Sequence, residues 1–320
     1  MIQEVRSELG WNPLKAKRLG SHLHQLAALL LMRLKRFEEA RTHLVHALAC
    51  FPEDSNPKFH FVELYFEMKA YLDAFDQLNK GLFGAPERML QLYNLSKDVH
   101  FNGARREAAL CYERIINFDK NGLINGLAQL QIINIELPVP SNDEIEEWYK
   151  KGGEQLQLGD LVAATKYFRR VLCWRPHNPT GWFLLGYSYV LQAEAENLIQ
   201  KTKKTHITLS PIAIDSERYE YFQKAIEAFN LTILLDSNFT SAYQQLAICN
   251  LLLELPGAAL KSILEAAKQS PEDPDILANL SIILLANGDV EGARDSAQIA
   301  LSFDPANTVA LSTLSILDKQ

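Results

Sequence analysis

The sequence predicts an all-α fold, an α-solenoid built from helix-turn-helix repeats. The main observation is a period of 34 residues near the C-terminus, where Pro274 to Asn307 repeats the pattern of Thr240 to Asp273. Both stretches carry apolar residues at helical spacing, a break near the middle, a small residue after the break and a closing proline. The small residues are Ala259 and Ala293, and the prolines are Pro271 and Pro305. A fixed period of this length is typical of a helical solenoid, in which each repeat packs on its neighbours.

Seven copies of the pattern can be placed along the 320 residues, in two groups. The first group fills residues 21–136 as three repeats and one extra helix, and the second fills residues 145–320 as four repeats and a C-terminal capping helix. Residues 1–20 are predicted to cap the first repeat. Repeats one to four begin at Ser21, Ser55, Met89 and Ile145, and repeats six and seven begin at Thr240 and Pro274.

A hinge or linker is predicted between the two groups, at residues 137–144. Pro138 and Pro140 forbid a continuing helix. Ser141 and Glu144 have the spacing of a capping box, which starts a new helix. The helix that begins at Leu123 therefore has no second helix to complete its repeat.

Repeat five carries the most specific motif. Its first helix reproduces W-x2-L-G-x2-Y, and its second helix reproduces A-x3-F. These residues are Trp182, Leu185, Gly186 and Tyr189 in the first helix, and Ala225 and Phe229 in the second.

On these motifs the chain resembles the tetratricopeptide repeat family, over nearly its whole length. Repeats four to seven match the pattern more closely than repeats one to three, in which His24, Lys58 and Leu92 stand where the aromatic residue would be. The resemblance implies a right-handed superhelical solenoid. It also implies that the inner helices line a concave face, which holds an extended peptide or a helix.

Repeat five is also 27 residues longer than the period, and the surplus lies at about residues 193–218. Its middle, KTKKTHITLSP, is basic and rich in β-branched residues. An insertion in a repeat maps to a loop on one face, often a binding face. Lys201, Lys203 and Lys204 in this predicted loop are candidate contacts for phosphate or an acidic protein, although a solvated loop is the simpler interpretation.

Helical geometry places one stripe of each first helix on the predicted concave face. The stripe is aromatic in the middle of the chain and aliphatic later. Two interpretations stay open: the chain's own packing buries these side chains, or they form an apolar groove for a partner segment. The candidates are Phe59, Phe66, Tyr93, Phe101, Tyr149, Phe183, Tyr187, Ile248 and Leu251.

Motifs of common enzyme classes do not occur in the sequence, which contains no GxxxxGK[ST], HExxH or GxSxG, and no GxGxxG after a predicted strand. We therefore predict no catalytic residue, no cofactor and no metal. Four histidines fall in repeat one, but His22 and His24 are two residues apart on a helix and diverge. We interpret the four as surface or groove-edge residues. They are His22, His24, His43 and His46.

The charge distribution argues against nucleic acid as a partner. The net charge is −7, and residues 240–320 carry ten Asp/Glu against four Lys/Arg, which repels phosphate backbones. No long apolar run is free of charged residues, so we expect neither a signal peptide nor a spanning helix, and the cytoplasm is the default location.

One subtype of the resembled family does not fit. Its members grip the acidic tails of heat-shock chaperones with a carboxylate clamp of Lys, Asn and Arg on successive inner helices. The residues at those positions here are Gln25, Leu29, His60, Leu90 and Asn94.

These patterns predict a non-enzymatic scaffold or adaptor that binds a partner peptide or helix in a concave groove. Two alternatives remain. A regulatory sensor would bind a small ligand or signal peptide and move about residues 137–144. An accessory subunit would dock to a membrane or secretion assembly. Stabilisation by a small metabolite favours the sensor, whereas co-purification of a fixed protein partner favours the scaffold.

Overall fold

A computed structural model describes residues 13–54, 56–71, 73–74, 86–118, 122–203 and 216–318. These residues form fifteen α-helices and no strand, which confirms the all-α solenoid of helical repeats. None of the described helices combines the length and the apolar character that crossing a bilayer requires. The chain divides into two compact units, Met1–Pro138 and Val139–Gln320. The division falls within residues 137–144.

The first unit contains six of the described helices, arranged as first and second helices of successive repeats. Helices α1 and α2 form repeat one, α3 opens repeat two, and α4 and α5 form repeat three, followed by α6. The second half of repeat two lies mostly outside the described residues. The bounds are α1 Pro13–Arg33, α2 Phe37–Cys50, α3 Asn56–Glu67, α4 Pro86–Phe101, α5 Arg105–Phe118 and α6 Leu123–Ile133.

The second unit contains four helical hairpins and a final single helix. Each second helix packs on its own first helix and on the first helix of the next repeat. The bounds are α7 Asn142–Leu158, α8 Leu161–Trp174, α9 Pro179–Lys203, α10 Ser216–Leu235, α11 Thr240–Leu252, α12 Pro256–Gln269, α13 Pro274–Ala286, α14 Val290–Phe303 and α15 Thr308–Leu317.

Small residues are buried where the helices of a repeat pack on each other. A Cβ atom on Gly186 would lie 2.8 Å from the Phe229 ring and 3.1 Å from the Ala228 side chain, so only glycine fits there. A larger residue at such a site overpacks the contact, at about 1–3 kcal/mol. The alanines that the repeat pattern places in the second helices are all 0% exposed; they are Ala40, Ala74, Ala108, Ala164, Ala225, Ala259 and Ala293.

The motif tryptophan joins repeat five to the turn before it. Trp182 is 0% exposed, and its Nε1 donates a hydrogen bond of 2.8 Å to the carbonyl oxygen of Pro176. A buried indole N–H needs such an acceptor. The closing proline of repeat four therefore takes part in the core of repeat five.

The predicted capping box at the start of α7 is confirmed. The Ser141 hydroxyl accepts a hydrogen bond from the Glu144 backbone N–H, and the Ser141 backbone N–H donates to the Glu144 carboxylate at 2.8 Å. This satisfies two backbone donors that the first turn of a helix leaves without partners. Hydrogen bonds from Ser141 also lower the pKa of Glu144.

The boundary predicted at residue 20, between the capping segment and repeat one, lies inside a helix. Helix α1 runs without a break from Pro13 to Arg33. A single glycine weakens a helix without ending it. Gly20 also packs closely, because a Cβ atom there would lie 3.4 Å from the Cys50 Sγ. Residues 1–12 of the predicted cap lie outside the described residues.

The surplus of repeat five lengthens both of its helices. Helix α9 has 25 residues and α10 has 20, against 13 in α11 and 14 in α12. Residues 193–203 contain no proline or glycine, so nothing in them ends the helix. Lys201 and Lys203 therefore belong to the last turn of α9, and the prediction of a loop at these two residues was wrong. Lys204 lies outside the described residues.

Candidate functional site

From α9 onward, the first helices of the second unit contact one another. Helix α9 contacts α11, α11 contacts α13, and α13 contacts α15. Among the described helices, no two successive second helices make contacts of similar extent. A stack whose helices approach each other on one side and spread on the other is curved, so the first-helix side is concave. The sequence places its candidate stripe on this side.

Phe183 and Tyr187 form the aromatic part of the stripe on α9. Their rings are nearly parallel, with 6° between the planes and 6.3 Å between the centroids. The Phe183 ring also contacts the rings of Phe229 and Phe239, at 5.7 and 5.0 Å between centroids. Both stripe residues are half-buried, whereas the adjacent Trp182 is fully buried. Phe183 therefore lies partly in the core and partly at the surface.

Ile248 and Leu251 form the aliphatic part of the stripe on α11. Both side chains are half-buried. Leu251 packs against the core cluster that includes Ala247 and Ile263. One side of the aliphatic stripe thus contacts the core, and part of its surface stays accessible.

Tyr149 continues the stripe on α7, beside two glycines with different surroundings. Its half-buried ring meets the Phe168 ring edge-on at 6.1 Å, and burial, with a smaller effect of Glu146, raises the pKa of Tyr149. A Cβ atom on Gly152 would lie 2.8 Å from the Phe168 ring, but one on Gly153 would meet nothing within 4 Å. Gly153 is four residues after Tyr149 and shares its helix face. The stripe therefore has open space at this point.

Three candidates in the first unit have almost no accessible surface. Phe59 and Tyr93 are 0% exposed, and Phe66 is 7% exposed. The Arg88 guanidinium lies 4.6 Å from the centroid of the Phe59 ring, and the Tyr112 ring lies 5.6 Å from that of Tyr93. Helical spacing identifies a face but not what packs on it, and here the chain itself covers that face. Of the two interpretations left open, burial by the chain's own packing applies to these three residues.

Phe101 is the accessible candidate of the first unit, with 65% of its surface exposed. It lines a cavity of about 470 Å³ together with Tyr71, Asp98 and Asn102. Chain segments that lie outside the described residues, at 72 and 75–85, adjoin this cavity in sequence. We therefore assign it no binding role.

Three histidines of repeat one come together, which the sequence reasoning missed. His24 Nδ1 lies 2.9 Å from His43 Nδ1, and the His24 and His46 rings stack at 5.3 Å between centroids. His43 and His46 are three residues apart on α2, which was the available sequence signal. Burial, followed by His43 and His46, lowers the pKa of His24. Within the described parts of the chain, no three His, Cys, Asp or Glu residues are arranged to hold a metal ion.

The residues at the clamp positions of repeats one to three serve the fold. The Gln25 amide donates to the Asp54 carboxylate at 2.8 Å, and His60 Nδ1 lies 2.7 Å from the Glu63 carboxylate. Leu90 is 2% exposed. These side chains contact their own chain and present no set of cations.

The repeat pair at the C-terminal end of the second unit matches a known family model. Residues 253–308, from the end of α11 to the start of α15, match the family model described as tetratricopeptide repeat. This stretch contains the two buried alanines Ala259 and Ala293, which lie one 34-residue period apart. Residues 253–308 are thus identified as tetratricopeptide repeats.

Comparison of this repeat protein with curated proteins finds no match. Among solved structures, MamA has a TM-score of 0.44 at 17% identity, covering 56% of this chain and 83% of that chain. TTC0263, a thermophilic repeat protein of Thermus thermophilus, has a TM-score of 0.41 at 15% identity, covering 72% and 100%. YrrB, described as having an unusual peptide-binding site, has a TM-score of 0.40 at 15% identity, covering 76% and 98%.

Proposed function

We propose that this protein is a non-enzymatic scaffold or adaptor, and that the concave side of its second unit binds a peptide or helix of a partner protein. The half-buried stripe carries the proposal. Helical spacing assigns its side chains to the first-helix side, and in the structure all five are half-buried. Large exposed apolar patches on a folded protein mark interaction sites. The stripe consists of Tyr149, Phe183, Tyr187, Ile248 and Leu251.

The chemistry of the stripe favours an apolar segment as the ligand. All five side chains are uncharged, and two of them present stacked aromatic rings. Tyrosine and other large rings carry much of the energy of protein interfaces, because they lose little conformational entropy on binding. The open space at Gly153 leaves room for a partner side chain next to Tyr149.

The proposal includes a cytoplasmic location. All four cysteines are free thiols, and three of them are buried. Burial raises the pKa of Cys111 and of Cys249 to about 12, which keeps these thiols protonated and unreactive. Free cysteines of this kind are typical of proteins in a reducing compartment.

The test is selection of ligands from a displayed library of random peptides, followed by affinity measurements with purified variants. We expect selected peptides to bind Tyr187→Ser at least about tenfold more weakly than the unmodified protein. The matched control is Tyr219→Ser, because Tyr219 is 51% exposed and lies on the second helix α10. Circular dichroism establishes that both variants are folded.

Equal affinity for all three proteins would place the binding site elsewhere. Selection of no peptide, together with thermal stabilisation by a small metabolite that Tyr187→Ser abolishes, would support the sensor instead. Hydrolase or transferase activity that survives purification would contradict a non-enzymatic role.

A further inference from the structure

Helix α1 carries a row of leucines that no described part of the chain covers. Leu19, Leu23, Leu26 and Leu30 are spaced by four, three and four residues, and Leu34 follows in the turn after the helix. Their exposed fractions are 59, 58, 45, 60 and 66% in that order. Spacing of this kind places apolar residues on one seam, as in helices that pack on another helix. We call these five residues the leucine row.

The other side of α1 is already used by the fold. Ser21, Gln25, Ala28 and Met32 are buried, and α1 contacts both α2 and α3. The leucine row is therefore a second apolar face on the same helix.

Later repeats show what covers the equivalent positions. Leu23 and Leu30 are the third and tenth residues of repeat one. In repeats six and seven, the residues at these two positions lie under the second helix of the preceding repeat, because α10 packs on α11 and α12 packs on α13. They are at most 2% exposed: Ala242 and Cys249 in repeat six, and Ile276 and Ile283 in repeat seven. Leu23 and Leu30, in the middle of the leucine row, thus occupy positions on which the repeat architecture seats a helix.

Helix α7 provides an internal contrast, because it is the first helix of the second unit. Its residues at the third, sixth and tenth positions are Glu147, Lys150 and Glu154, with side chains 60, 80 and 53% exposed. Glu147 forms an ion pair of 2.7 Å with Lys151. An opening helix that faces water therefore carries charges at these positions. The position of α1 at the start of the first unit therefore does not explain the exposed leucines of the leucine row.

The charges around the leucine row select among possible occupants. Residues 13–36 contain six Lys/Arg and no Asp/Glu, although the whole chain has a net charge of −7. Two copies of α1 packed on each other would bring like charges together in either orientation. A helix with acidic flanks would be attracted to the same surface.

We infer that the leucine row of α1 is a docking surface for an amphipathic helix of a partner protein, with leucine-like residues at heptad spacing and acidic residues on both flanks. The partner helix would occupy the position that a preceding second helix occupies in repeats six and seven. This surface lies in the first unit and is independent of the concave stripe of the second.

The experiment uses the full chain and two synthetic helical peptides of about three heptads. One peptide carries Leu at the seam positions and Glu at the flanking positions, and the other carries Lys instead of Glu. We expect the Glu peptide to bind, more weakly as salt is raised, and the double variant Leu26→Asp/Leu30→Asp to lose at least about tenfold in affinity. Leu264→Asp is the matched control, since Leu264 is a 49% exposed leucine on α12. The milder Leu26→Ser/Leu30→Ser replaces the Asp variant if circular dichroism shows that the latter is unfolded.

Five results would overturn the inference. If the Lys peptide bound as tightly as the Glu peptide, the acidic flanks would not contribute to recognition. If the Glu peptide bound the double variant as tightly as the unmodified protein, the leucine row would not be the binding site. Binding of the Glu peptide only after deletion of residues 1–12 would assign the row to the chain's own N-terminal segment. Self-association in analytical ultracentrifugation that the double variant abolishes would assign it to a second copy. Sedimentation with phosphatidylserine vesicles that the double variant abolishes, without peptide binding, would assign it to a lipid surface.

Discussion

Gly152 and Gly153 are neighbours on α7, yet a Cβ atom at Gly152 would lie 2.8 Å from the Phe168 ring, whereas one at Gly153 would meet no atom within 4 Å. The contact between α7 and α8 therefore requires the absence of a side chain at Gly152. Gly153 has no such requirement, and it lies on the same helix face as Tyr149. Glycine is thus required by the fold at residue 152, whereas residue 153 has open space beside it.

Alanine at these two positions is expected to have opposite effects on stability. Gly152→Ala should lower the free energy of unfolding by about 1–3 kcal/mol, because the added methyl group overpacks the Phe168 contact. Gly153→Ala should raise it by about 0.5–1 kcal/mol, because alanine loses less backbone entropy in a helix. Urea unfolding followed by circular dichroism measures both. Effects of the same sign would contradict the assigned surroundings.

Phe183 and Tyr187 are expected to differ in how much they support the fold. Phe183 contacts three other rings, so Phe183→Ala should cost about 2–3 kcal/mol, less than for a fully buried phenylalanine. Tyr187→Ala should cost less than about 1.5 kcal/mol, because its ring stacks mainly on Phe183 at the surface. Thermal unfolding of the two variants tests this difference. Equal losses would mean that Tyr187 is a core residue and a poor candidate for partner binding.

The helical core could be predicted from the sequence because the same spacing of core residues recurs in each repeat. The spacing of small residues locates the helix contacts, and Gly186, Ala225 and Ala293 are buried where that spacing places them. Trp182 lies in the core, as its motif position indicates. Because the pattern recurs many times, the repeat positions can be assigned even in repeats one to three, which match it less closely.

The candidate site could be predicted only in part, because exposure depends on neighbours that are distant in sequence. Phe59 and Tyr93 have the same helical spacing as Phe183, but Arg88 and Tyr112 cover them. Helical spacing alone cannot show that other side chains cover a face. The leucine row of α1 was missed for the converse reason, since leucines at helical spacing normally indicate a buried face.

The length of α9 was missed because the number of extra residues in repeat five does not indicate whether they form a helix or a loop. Residues 193–203 favour helix as strongly as the preceding turns, since no proline or glycine interrupts them. We expected a loop in this insertion, but the helix continues to Lys203.

Acid is expected to destabilise the first unit through His24. The pKa of His24 is lowered in the folded state, so below the ordinary value of 6.5 the unfolded chain binds more protons than the folded one. Stability should thus fall as the pH drops below about 6.5. His24→Gln should reduce this fall when melting temperatures are compared between about pH 7.5 and 5.5. The same pH dependence in both proteins would show that His24 does not cause the loss of stability.

Arg218 is expected to stabilise the long hairpin of repeat five. Its Nε donates a hydrogen bond of 3.1 Å to the carbonyl oxygen of Ala193, and the residue is 9% exposed. Arg218→Met keeps much of the side-chain volume but removes the donor, so the free energy of unfolding should fall by about 1–3 kcal/mol. Lys224→Met is the control, because its exposed ion pair with Glu220 should contribute less than about 1 kcal/mol. Equal effects would mean that the Ala193 contact adds nothing.

The most direct test of the concave-side proposal is the affinity of a library-selected peptide for Gly153→Leu. The added side chain meets no neighbour at its Cβ, so the variant should keep its helical content and its resistance to urea. It should nevertheless occupy the open space beside Tyr149, and we expect the dissociation constant to rise at least about tenfold. An unchanged dissociation constant in a fully folded Gly153→Leu protein would contradict binding on the concave side of the second unit.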